Sequence, residues 1–90
     1  ESVLNNLGRT YFQLEDYENA EIYFNKALVI LPGYFEALVN LSSTYIQLQD
    51  YEKSLETLKK IPRKQLNEPL KKNLRFVRSK LREQGKLSDN

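Results

Sequence analysis

The sequence contains no cysteine and no histidine. Disulfide frameworks, thiolate or imidazole metal sites and every nucleophile–base pair built on either residue are therefore excluded, and carboxylates are the only side-chain bases of ordinary strength left. Long apolar runs are missing too, since none approaches the roughly 18 residues that a membrane-spanning helix needs. Glycine is scarce and scattered: Gly8, Gly33 and Gly85 stand singly, so neither a glycine-rich phosphate loop nor a nucleophile elbow can be assembled. Catalysis, a metal and a cofactor are accordingly not expected.

What remains is ordinary for a folded chain. Of 90 residues, 40% are hydrophobic and 29% charged, which suits one small domain or a piece of a larger protein with a single core. The chain begins at Glu1 with no charged-then-apolar leader, and reads as an excised or processed segment without a signal peptide. Cysteine absence fits any compartment, with the cytoplasm as the default expectation. The net charge of +2 hides an asymmetry. Residues 1–50 carry two basic side chains against seven acidic ones, whereas residues 51–90 carry twelve against five. The basic half is either a solvated cap or a surface for an anionic partner.

Laid on itself with an offset of 34, the chain repeats Leu4/Leu38, Asn6/Asn40, Leu7/Leu41, Thr10/Thr44, Tyr11/Tyr45, Gln13/Gln47, Leu14/Leu48, Asp16/Asp50, Tyr17/Tyr51, Glu18/Glu52 and Lys26/Lys60. Within each copy the apolar residues recur at steps of three and four. Leu4, Leu7, Tyr11 and Leu14 share one helical face, and Ala20, Phe24, Ala27 and Leu28 share another. Each repeat is thus a helical hairpin. Asp16 and Asp50 suit the N-caps of the second helices, and Pro32 with Gly33 stops the first hairpin. The pattern predicts an all-α fold of five helices, near 3–16, 17–31, 37–48, 51–61 and 68–84.

Leu4-x-x-Leu7-Gly8-x-x-Tyr11, followed by Ala20-x-x-x-Phe24 and Pro32, resembles the tetratricopeptide repeat with its 34-residue period. Leu4 departs from it, standing where the family often has Trp. The resemblance implies an α-α superhelix of two hairpins, 1–34 and 35–68, the second degenerate and shortened at Pro62. Leu70, Leu74, Val77 and Leu81 then mark a fifth helix within 69–85, with Asn67 as its cap and Pro69 in its first turn. Arg78 falls where Gly8 stands in the first repeat, so this helix reads as the cap that seals the solenoid, with 86–90 as a frayed tail.

The family uses a concave groove lined by the first helices of successive repeats to bind peptides. Its groove positions fall on Ser2, Asn5, Asn6, Arg9, Phe12 and Gln13, then Glu36, Val39, Asn40, Ser43, Ile46 and Gln47, with Lys72 and Phe76 on the fifth helix. Asn6 and Asn40 share one repeat position and are expected to stack as an amide ladder for a peptide backbone. Phe12, Val39 and Ile46 offer either an apolar floor for the ligand or local packing, and Phe76 either extends that floor or folds against the 62–68 loop. The carboxylate clamp by which some family members grip chaperone tails would fall on Asn5, Arg9, Asn40, Lys72 and Phe76. Only Asn40 and Lys72 match it, which disfavours that ligand.

Two other readings belong to different classes. Val3 and Thr10 are expected on the uncovered face of the first helix, which suggests pairing with upstream repeats or weak homo-oligomerisation. Ten basic residues against one acid between Lys59 and Arg82 suggest an anion-binding surface, although only Phe76 is available to stack on a base, so nucleic acid is disfavoured. The acidic pairs Glu15–Asp16 and Glu18–Glu21 lie at a turn and a helix start, with no pocket to separate their pKa values.

Overall fold

The computed structural model describes residues 1–87 and contains five α-helices among them: α1 Ser2–Gln13, α2 Tyr17–Ile30, α3 Phe35–Gln47, α4 Tyr51–Lys59 and α5 Glu68–Glu83, with a 3₁₀ turn at Arg63–Gln65. Their starts are written in short polar side chains. Asp16 accepts from the backbone N–H of Asn19 at 3.3 Å, Asp50 from that of Lys53 at 3.2 Å, and Asn67 from that of Leu70 at 3.0 Å, each satisfying a donor that the first helical turn leaves open.

The first helices of both hairpins end by one device. Glu15 and Gln49 take φ of 62° and 61°, while the N–H of Asp16 donates to Tyr11 O and that of Asp50 to Tyr45 O, both at 2.9 Å. This left-handed reversal closes the last carbonyls of the helix. It stops α1 at Gln13 rather than near 16 and lets the chain enter the next helix after three residues.

The elements stack in chain order, α1 on α2, α2 on α3, α3 on α4 and α4 on α5, with α1 and α3 side by side. Two apolar clusters hold them. Ala20, Phe24, Leu41 and Tyr45 join the two hairpins, and Leu38, Tyr51, Leu55, Leu58, Ile61, Leu70, Val77 and Leu81 join the second hairpin to α5. Leu28 touches both. At the first crossing a Cβ on Gly8 would stand 2.6 Å from the buried ring of Phe24, so a hydrogen is all that position admits.

Identical apolar motifs meet different fates in the two copies. Leu41 and Tyr45 are buried, but Leu7 is 38% and Leu14 70% exposed, and Leu4 and Tyr11 are only half-buried. The helical face shared by Leu4, Leu7, Tyr11 and Leu14, with Leu4, Leu7 and Tyr11 expected to supply the hairpin core, is therefore only partly buried in the first copy. Part of this surface packs against a preceding second helix: α2 supplies that helix for α3, and nothing in the described chain supplies it for α1.

At the other end, α4 is short. Pro62 cannot continue it, and the chain turns through Arg63–Gln65 before α5 lays Leu70, Val77 and Leu81 onto the second cluster. Arg78 is exposed. Residues 86 and 87 of the expected tail are held in place: Lys86 Nζ donates to Glu52 Oε1 at 2.8 Å, and Leu87 packs against the second cluster. Residues 88–90 of that expectation lie outside the described residues.

Candidate functional site

Where α1 and α3 run side by side, Asn40 Nδ2 donates to Asn5 Oδ1 at 3.1 Å. Asn5 is only 3% exposed, so the bond ties the two helices together rather than presenting both amides to a ligand. The expected Asn6–Asn40 ladder is not formed. Adjacent helices cross at an angle, contacts run diagonally, and Asn40 therefore meets the residue 35 positions before it while Asn6 stays exposed.

The Asn5–Asn40 bridge separates two open recesses. One of about 150 Å³ is lined by Arg9, Phe12, Gln13, Phe24, Asn40 and Ser43, and one of about 240 Å³ by Asn5, Arg9, Phe35, Glu36, Val39 and Asn40. Arg9 and Asn40 are common to both. Arg9 is exposed and makes no ion pair with the described carboxylates, leaving its guanidinium available between an apolar recess and a mixed one. Phe24 and Phe35 were missed as lining residues: Phe24 lies beneath its recess as a buried ring packed against Gly8, and Phe35 reaches the other recess from the first position of α3.

The remaining candidates divide. Phe12 is half-buried, edge-to-face on Tyr17 at 5.2 Å, and packs on the first cluster as well as walling a recess. Val39 and Ile46 pack against the second cluster, Val39 also reaching a recess. Gln47 is exposed, as are Asn6 and Ser2. Lys72 and Phe76 line neither of these recesses. Phe76 neither extends the floor nor folds on the 62–68 loop; it meets Tyr51 edge-to-face at 6.0 Å, with Lys80 Nζ 5.7 Å from its ring centre.

A larger recess, about 440 Å³, opens on the back of α3 where α2 and α4 splay apart, between Asn25, Val29, Lys53, Glu56 and Lys60. It contains none of the candidate residues. At its floor burial pushes the Tyr45 hydroxyl above its ordinary pKa, the Asn25 side chain opposing and Glu21 adding to the shift. Among the described residues no group of three or more acidic side chains is gathered as a metal would require, and no helix is long and apolar enough to cross a membrane.

The family model of the tetratricopeptide repeat matches residues 2–34, and a second model of the same repeat matches residues 35–61, so the two matches follow the two hairpins and stop where Pro62 ends the second. The chain belongs to the tetratricopeptide repeat family. No curated protein matches it. Tetratricopeptide repeats generally serve as interaction modules that bind protein partners and carry no chemistry of their own, which agrees with a surface of recesses and hydrogen-bonding groups.

Proposed function

We propose that this tetratricopeptide repeat chain binds a peptide segment of a partner protein along α1 and α3, without catalysis. The observation that carries the reading is the pair of recesses that share Arg9 and Asn40. Side chains of an extended peptide fill the two recesses, while the Arg9 guanidinium and the free edge of the Asn40 amide hold carbonyl or carboxylate oxygens between them. Phe12 and Val39 supply the apolar contact at either side. In this reading hairpins 1–34 and 35–68 form the binding unit and the 69–85 helix closes its C-terminal end.

The test is a labelled peptide library read by fluorescence polarisation. Arg9→Ala, an exposed change, and Asn40→Ala combined with Phe12→Ala are each expected to weaken a bound peptide by about 1–3 kcal/mol. Charge reversal at Lys71, Arg75 and Arg82 is expected to do little. The opposite ranking, with affinity falling steeply as salt rises, would move the binding surface to α5.

A further inference from the structure

The two recesses along α1 and α3 are offset by a distance that a ligand backbone can match. From the larger to the smaller, the lining advances on α1 from Asn5 and Arg9 to Arg9, Phe12 and Gln13, and on α3 from the Phe35–Asn40 stretch to Asn40 and Ser43. Their centres are therefore about four residues, or roughly 6 Å, apart along both helices. Alternate side chains of an extended chain point the same way and stand about 6.7 Å apart. A helical ligand reaches a similar spacing with residues four apart, but its backbone is satisfied internally, and it would cover Arg9 and Asn40 without offering them partners. An extended segment thus seats two side chains separated by one residue.

Only the larger recess contains an acid. Glu36 stands exposed on its lip, makes no ion pair with the described cations, and has the half-buried Phe35 and Val39 beside it. We infer, resting on the peptide-binding reading above, that this recess selects a lysine or arginine placed two residues from the apolar side chain that enters the smaller one. The aliphatic stem lies on Phe35 and Val39, and the charged head reaches Glu36 with the Phe35 ring adding a cation–π attraction. An apolar occupant would strip Glu36 of water without giving it a partner, and an acidic one would set carboxylate against carboxylate. Arg9 opposes a basic occupant only weakly, because it is shared by both recesses and its guanidinium donates to peptide carbonyls between them. The surrounding charge favours the same choice: residues 1–50 carry seven acidic side chains against two basic ones. So does size, since the longer side chain takes the recess of about 240 Å³ and the shorter one that of about 150 Å³.

The probe is a fluorescein-labelled library of end-blocked nonapeptides, selected on the 90-residue chain and read by polarisation. Selected binders are expected to carry a lysine or arginine two positions from a leucine, isoleucine, valine or phenylalanine. In the tightest of them, replacing the basic residue by glutamate should weaken binding to the parent chain about tenfold. Glu36→Lys should reverse that preference with helical content unchanged, because Glu36 is exposed. Glu18→Lys, the same charge change at an exposed α2 residue outside both recesses, should not. Binders that lack the basic residue at this spacing overturn the inference. So does a preference that survives Glu36→Lys, or one that Glu18→Lys reverses equally. These results leave the groove standing where the same binders still need Arg9, whereas no binding at all, or binding indifferent to Arg9→Ala, refutes the groove and its selectivity together.

Discussion

Gly8 and Phe24 share one space, and the second repeat fills the same space differently. There Ser42 replaces Gly8, Leu58 replaces Phe24, and Ser54 replaces Ala20, with Ser54 Oγ donating to Ser42 O at 3.0 Å. Each copy balances a larger side chain on one helix with a smaller one on the other. Gly8→Ser alone is expected to cost about 1–3 kcal/mol by overpacking. Adding Phe24→Leu should recover part of that loss, although Phe24→Leu alone also destabilises. A thermal or urea double-mutant cycle reads the coupling, and simple additivity of the two changes would refute the shared volume. The close approach at Gly8 is legible in the sequence, because a small residue facing a large one at the right spacing has few other meanings. The Asn5–Asn40 bond is not, since it depends on the crossing angle of two helices 35 residues apart.

Among the elements, starts were easier to read than ends. Asp16, Asp50 and Asn67 announce α2, α4 and α5 because a short polar side chain before an apolar period has a specific partner. The ends of α1 and α3 are made by Glu15 and Gln49 at positive φ, where glycine would have been the signal. α3 carries the most buried residues of the five helices, and one of its groups confers a pH dependence. Burial, with Glu21 adding, holds the Tyr45 hydroxyl above its ordinary value, so the folded chain keeps that proton more tightly than the unfolded one. Its contribution to stability is complete below about pH 10 and is lost as pH rises through the folded value. Unfolding midpoints of parent and Tyr45→Phe should therefore converge in the alkaline range. A constant difference from pH 8 upward would show that the hydroxyl does not titrate with folding.

At the scale of the whole molecule the described chain is directional in charge, its first hairpin acidic and its fifth helix basic. The periodicity revealed the stack and its fifth helix, because each element shows its own buried face. It could not reveal how unevenly that face would be covered, which depends on the neighbours rather than on the motif. α3 buries six residues, but α1 buries only Asn5 and Gly8, so α1 is the element held by least. In a stack whose units are stabilised by their neighbours, such an end opens first. Amide hydrogen exchange in α1 should therefore be faster than in α3.

That ranking ties recognition to folding. Arg9, Phe12 and Asn5 all belong to α1, so the proposed groove exists only while the loosest helix is docked. A peptide that binds there pulls the docking equilibrium with it. At 100 times its dissociation constant it should protect α1 by about 2.7 kcal/mol, roughly a hundredfold slowing of exchange, and the partner becomes the missing part of the first repeat's stability.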